Sequence, residues 1–376
     1  QEEQVQEEKV QEEKVQEEQV QEEDVKESPR GSSLAHNTLE AVHGPVETMG
    51  ATTAKGGRQC PTSEGPLVSV LVSTTSRGVV KKGKTKELSK KELAARMKWV
   101  EDTTLALDLE SLVLFSTMLP SLEATLECGF RYLVVVGFDI GDLYFDSPKT
   151  QQLVKAWIDK HVVAAARARN IDCSYSLLPV DNPLKKPGPV FNAMAASLGK
   201  EVEYIYRVND DTEFVGAHWT SKFTQALATM GGPAFGVVGP SCPQGNRAIL
   251  THDFTHRAHI EIFGTYYPEV LTDWFMDDWI SRVYGLKRTK LLKDVEVIHH
   301  SKTYGRRYDV DGTHRHLVDN LVHEGKLKIA AYMKDKGAPE ETVKRFLADK
   351  FDHRQKQKEV DQSQIKSKSA AIRPKR

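Results

Sequence analysis

At 376 residues the chain has room for one large or two ordinary domains. Hydrophobic residues at 39% against 28% charged make an ordinary globular mixture, with enough apolar side chains for a sizeable core. A formal net charge of −1 says nothing about partners, and neither nucleic-acid nor membrane contact is indicated within the domain. No run approaches the ~18 apolar residues of a membrane span. The four cysteines, Cys60, Cys128, Cys173 and Cys242, lie far apart without CxxC or Cys/His finger spacing. That argues against structural zinc and leaves any disulfide pairing unread.

Charge is spread unevenly along the chain. Residues 1–25 repeat Gln-Glu-Glu-X-Val. A valine at every fifth position builds no apolar stripe on a helix, so a disordered, low-complexity stem or at most a solvated single helix is expected. Ser28 to Pro66 continues in linker composition, and Lys350–Arg376 is a basic, solvated end. The expected organisation is therefore a stem and linker over 1–65, a catalytic-size domain over 66–335 and a helical, basic tail over 336–376. The chain opens on Gln1. An anchor lost upstream would place it in the Golgi or secretory lumen; otherwise the expectation is cytoplasmic.

Order begins with an apolar strand at Leu67–Ser73, followed by Thr74-Thr75-Ser76-Arg77-Gly78 and a charged insert at Lys81–Lys91. Periodicity predicts a helix over Thr103–Glu127, interrupted or bent at Pro120. A second strand, Tyr132–Phe138, leads into Asp139, Asp142 and Asp146. Then come an amphipathic helix at Thr150–Arg169 capped at Asn170, a strand at Ile171–Val180, and a small-residue helix at Gly188–Leu198 behind the Lys185-Lys186-Pro187-Gly188 turn. Tyr204–Val208 is a strand, Ala217–Met230 a helix, and Ala234–Gly239 another strand. Alternating strands and helices, the strands nearly continuous in apolar residues, predict an α/β fold: a mostly parallel sheet with helices on both faces.

Chemistry concentrates where the Tyr204–Val208 strand runs into Asn209, Asp210 and Asp211. Ligands gather at the carboxyl ends of strands in such sheets. Adjacent carboxylates call for a proton or a hard divalent ion, Mn²⁺ or Mg²⁺, which commonly bridges to phosphates. A second acidic pair, Asp277 and Asp278, lies in a predicted helix over Tyr267–Tyr284, on one side with Trp274. His252, His256 and His259 share one face if helical, a spacing that raises a metallohydrolase alternative. The alternation at Ile260–Gly264 reads instead as strand.

The order of these motifs resembles the GT-A glycosyltransferases, most closely their inverting, family 2-like branch, from about Pro66 to Lys328. The resemblance rests on Thr74–Arg77 and Asp139 at two strand ends, Gly188–Asn192, the triplet Asn209-Asp210-Asp211 in place of a DxD motif, Trp274–Trp279 around the acidic pair, and Val297-Ile298-His299-His300 followed by Gly305-Arg306-Arg307-Tyr308. It implies a three-layer α/β/α domain that moves a hexose from a UDP- or GDP-sugar to a carbohydrate or glycoconjugate acceptor, with inversion. Thr74, Ser76, Arg77, Asp139, Asn209 and Asp210 would meet the nucleotide, and Arg306 and Arg307 its phosphates. Asp211 would hold the ion with His299 or His300, of which one faces inward. Asp278, ahead of Asp277, would be the base; Tyr266, Tyr267 and Trp274 would line the acceptor pocket. A degenerate domain kept as a binding module is the non-enzymatic alternative.

Overall fold

The computed structural model describes residues 60–61, 64–77, 109–142, 144–230, 235–245, 248–300, 308 and 310–349, all within the compact unit Thr53–Arg376. The acidic repeat, the insert at 81–91, Arg306, Arg307 and the basic tail lie outside the described residues.

The first half runs β1 (Leu67–Ser73), α1 (Leu119–Thr125), β2 (Arg131–Asp139), α2 (Pro148–Ile158), α3 (Ala164–Ala168), β3 (Cys173–Val180), α4 (Pro187–Ala196) and β4 (Val202–Asn209). The second runs β5 (Thr212–Phe214), α5 (Trp219–Ala228), β6 (Val237–Ser241), β7 (Asp253–His256), α6 (Ala258–Phe263) and α7 (Met276–Val283). It closes with β8 (Thr289–His299), α8 (Val318–Asp335) and α9 (Glu340–Ala348).

The strands form one sheet in the order β3-β2-β1-β4-β7-β6-β8-β5, in which β7 and β5 run against the rest. Successive strand residues face opposite ways, and the sequence uses both faces. Val68, Val70 and Val72 of β1, with Tyr132, Val134 and Val136 of β2, enter a core shared with α1, α2, α3 and α5. Leu71, Val135 and Ile205 enter the opposite core, under α4, α6, α7, α8 and α9. The result is the three-layer, mostly parallel α/β/α arrangement that the glycosyltransferase resemblance implies. Val343 and Phe346 carry the second core on into α9.

Several local expectations are corrected. The helix expected over Thr103–Glu127 is interrupted just ahead of Pro120, where a π-helical turn at Leu114–Met118 passes directly into α1. The helix expected over Tyr267–Tyr284 is only Met276–Val283, preceded by Phe275 at φ 68°, so Trp274 lies outside it. His252, His256 and His259 share no helix face, because β7 ends at His256 and α6 begins at Ala258; Ile260–Phe263, expected as strand, belongs to α6. Asn170 does close its helix, in the left-handed region at φ 60°. Cys60 and Cys128 form a disulfide, while Cys173 and Cys242 are free and buried. Among the described residues no helix is long and apolar enough to cross a membrane.

Candidate active site

The register of the sheet assembles the site. Ser73 of β1 lies between Gly137 of β2 and Asn209 of β4, so the loops leaving these parallel strands open at one edge. Thr74, Arg77, Asp139, Asn209, Asp210, Asp211 and His299 line a single pocket there, joined by Lys185, Lys186, Phe191, Trp274, Tyr308 and others. Ser76, His300, Asp277 and Asp278 are not among its lining residues.

The triplet closes β4 and turns through Asp210 and Asp211 into β5, which pairs with β8 so that Thr212 faces His299. That pairing brings His299 Nε2 to 2.9 Å from Asp211 Oδ1 and 3.3 Å from Asn209 Nδ2. His300, one residue on, turns to Glu213 at 2.7 Å. Asp210 Oδ2 accepts the Thr74 hydroxyl at 2.7 Å. Behind the pair, buried His252 meets the Thr212 hydroxyl at 2.7 Å, and burial holds its pKa well below the usual imidazole value.

The implied ion can be tested against these donors. Two ligands ~2.1 Å from one octahedral ion and at right angles to each other sit ~3 Å apart. Asp211 Oδ1 and His299 Nε2 have that separation. Among the described residues no group of three or more His, Cys, Asp or Glu side chains is placed to hold a metal. An ion here would have two protein ligands, with phosphate oxygens and water completing its shell, a common arrangement for Mg²⁺-like ions. The pair fits on those terms.

Two buried carboxylates shape the loops that follow β1 and β2. Asp142 accepts Thr75 Oγ1, Ser76 N and Ser76 Oγ at 2.7–2.9 Å, so Ser76 is spent on holding the loop. Asp139 takes Arg77 Nη2 at 2.6 Å and Asn182 Nδ2 at 2.7 Å. Burial pushes the Asp139 carboxyl up, and its Asn182 and Arg77 partners draw it back only in part. Lys185 stands at φ 56° in the pocket wall. Lys186 pairs with buried Asp273 at 2.8 Å. Gly188 permits this approach: its N–H meets Thr272 O at 2.6 Å, and a Cβ there would lie 2.6 Å from the same atom.

Asp277 and Asp278 open α7 with different surroundings. Asp278 lies 3.4 Å from Arg282 of the same helix. Asp277 is part-buried, and burial raises its pKa to about 6 against the pull of Arg207, with Asp278 and Asp253 adding to the rise. Arg207 is itself buried on β4, bonded to Asp253 at 2.9 Å, the Tyr267 hydroxyl at 2.7 Å and Thr251 O at 2.8 Å. Asp253 also accepts the Tyr266 and Tyr267 hydroxyls. Both tyrosines are fully buried in this network, so of the aromatic residues expected at the acceptor pocket only Trp274 is open.

His259 is bonded to the Tyr284 hydroxyl and Tyr266 O, and His256 Nδ1 accepts the Ala258 N–H. With His252 on Thr212, the three make no common site. The site residues that sequence reasoning passed over are Lys185 and Lys186, read only as a turn, and Asp273 and Asn182. Their signal was the Pro-Gly helix start, which requires close backbone approach.

No family model matches the chain, and no curated protein matches it. Among solved structures, S. aureus TarS aligns at a TM-score of 0.35 and 12% identity, over 71% of this chain and 42% of TarS. A 4-diphosphocytidyl-2C-methyl-D-erythritol synthase from Anaerococcus prevotii aligns at 0.34 and 9% identity, over 70% of this chain and 97% of that enzyme. The chain thus spans about two fifths of the length of TarS. At these TM-scores neither likeness bears on function, and the reading of the site rests on its own geometry.

Proposed function

We propose that the chain transfers a hexose from a nucleoside diphosphate sugar, with UDP or GDP as the leaving group, to a carbohydrate or glycoconjugate acceptor. The transfer uses Mn²⁺ or Mg²⁺ and inverts the anomeric carbon. The observation that carries this reading is the convergence of Asp211 and His299 at the end of β4, in the pocket that also holds Thr74, Arg77 and Asp139. Asp211 and His299 would hold the ion, which supplies positive charge against the departing diphosphate. Thr74 fixes Asp210 through its hydroxyl, and Arg77 is held in the pocket wall by Asp139. Arg306 and Arg307 keep the phosphate role their sequence position gives them.

The proton of the attacking hydroxyl goes to a carboxylate at the start of α7. Neither Asp277 nor Asp278 lines the pocket; of the two we take Asp277, although the resemblance favours Asp278, because Asp277 is not paired with Arg282 and burial raises its pKa to about 6, which suits a base near neutrality. As the acceptor oxygen bonds to the anomeric carbon, the bond to phosphate breaks and its electron pair leaves with the diphosphate. The Cys60–Cys128 disulfide supports the secretory lumen over the cytoplasm as the working compartment. The test is release of UDP or GDP from a panel of nucleoside diphosphate hexoses, with and without Mn²⁺. Turnover should require the ion and vanish in Asp211→Ala and His299→Ala. Turnover that survives both chelation and Asp211→Ala would sink the reading; nucleotide binding without turnover would favour a binding module.

A further inference from the structure

A further cavity, of about 450 Å³, opens at the other end of the sheet from the candidate active site. Arg288, in its wall, immediately precedes β8, whereas His299 ends that strand, and none of the described residues lines both cavities. Phe235, also in the wall, stands two residues ahead of β6, which runs parallel to β8. Open α/β sheets gather their substrates at the carboxyl ends of the strands, so a cavity at the amino ends of β6 and β8 calls for a different ligand. Its floor is apolar: Phe235, Met333 and Phe346 are buried there, with Met230 beside them. The chain turns through Gly337 at φ 76° between α8 and α9, and Val343 and Phe346 anchor α9 in the second core. Two thioether side chains let such a floor adapt to a flexible ligand.

The rim, by contrast, is basic. Among the described lining residues Lys287, Arg288, Lys336 and Arg345 stand against a single carboxylate, Asp349. That carboxylate is turned to the backbone, where it accepts the Lys287 N–H at 3.0 Å. The Arg288 guanidinium lies 3.9 Å over the Phe235 ring and donates to Phe235 O at 3.1 Å, which fixes a cation where floor and rim meet. Burial draws the Arg288 pKa below the ordinary guanidinium value, a desolvation cost that an anion in the cavity would offset. Lys287, Lys336 and Arg345 are exposed at the mouth. A bare anion would make no use of the floor, and an uncharged chain none of the rim.

We propose that this cavity binds a single alkyl chain with an anionic head, a fatty carboxylate or an alkyl phosphate. The chain lies on Phe235, Met333 and Phe346, and the head sits among Arg288, Lys336 and Arg345. The inference does not rest on the transferase reading. Calorimetry of the full chain with decanoate, decyl phosphate, their six-carbon homologues, inorganic phosphate and decyltrimethylammonium, each below its micelle concentration, tests it. Sedimentation with phosphatidylserine-containing vesicles runs in parallel. Decanoate or decyl phosphate should bind, and the tighter of the two identifies the head. Its six-carbon homologue should bind at least about ten-fold more weakly, since each buried methylene is worth about three- to four-fold. Inorganic phosphate and decyltrimethylammonium should not bind. The double variant Lys336→Glu/Arg345→Glu reverses two exposed charges, and Thr342→Trp fills the cavity from α9. Each should weaken binding about ten-fold or more while the melting temperature without ligand stays close to that of the wild type. Binding of neither ten-carbon anion, equal affinity for six- and ten-carbon chains, equal affinity for the cationic amphiphile, or undiminished binding by both variants would overturn the proposal. So would binding to the vesicles alone, which would make the basic rim a membrane contact.

Discussion

Replacing Asp277 with asparagine should cost activity and gain stability, and the gain can be sized. Burial raises the Asp277 pKa from 3.8 to about 6. The folded chain therefore holds this proton more tightly than the unfolded chain does. The stabilisation that the proton brings is complete below the unfolded value and lost as pH rises to about 6; above that, folding carries the penalty of an ionised, desolvated carboxylate. Each pKa unit is ~1.4 kcal/mol, so the penalty approaches ~3 kcal/mol at neutral pH, and partial solvent access trims it to ~2–3 kcal/mol. Near pH 4 it shrinks to ~0.5 kcal/mol. Asparagine keeps an oxygen to accept the Asp278 N–H, the contact Asp277 makes at 2.9 Å, and cannot ionise. Thermal unfolding at about pH 7.5 should show Asp277→Asn melting roughly 4–10 °C above wild type, with the two nearly coincident near pH 4. Turnover should fall by about a hundred-fold or more. A variant less stable than wild type at pH 7.5, or shifted equally at both pH values, would refute the assignment of a raised pKa. Full activity in the variant would remove Asp277 as the base.

Other expectations follow from the same contacts. Arg207→Met removes the ion-pair partner of buried Asp253, and should lower the unfolding free energy by ~3–5 kcal/mol. Adding Asp253→Asn should recover part of that loss, whereas strictly additive losses in a double-mutant cycle would contradict the coupling. Intact mass after alkylation without reductant should show Cys60 and Cys128 protected as a pair, and labelling of all four thiols in the denatured, unreduced chain would contradict the disulfide. Because that bridge spans 68 residues, replacing both cysteines by serine should cost up to ~4 kcal/mol in urea unfolding.

The sheet was readable because both of its faces are buried. Leu67–Ser73 is apolar enough to read as strand without tertiary information, and the register then puts the ends of β1, β2 and β4 together. Oxygen-bearing residues at those ends were therefore legible as a site. What escaped was set by contacts between distant residues. Ser76 reads as a nucleotide contact in sequence, yet its hydroxyl bonds to Asp142 across 66 residues. Tyr266 and Tyr267 read as acceptor aromatics, but their hydroxyls are drawn inward by Asp253. The periodicity around Tyr267–Tyr284 suggested helix throughout, because a single left-handed residue, Phe275, leaves no trace in an apolar pattern. Strand alternation says only that one of His299 and His300 faces inward; the pairing of β5 with β8 makes it His299, with Glu213 receiving the His300 ring.

The central claim is that Asp211 and His299 grip an ion that in turn holds a diphosphate. Thermal unfolding of the full chain with UDP, GDP and their hexose esters, each with and without Mn²⁺, tests it most directly. Nucleotide and ion together, at ~100 times the dissociation constant, should stabilise the fold by ~2.7 kcal/mol, with neither effective alone and the effect absent in Asp211→Ala. Stabilisation by nucleotide without any ion, undiminished in Asp211→Ala, would contradict the account.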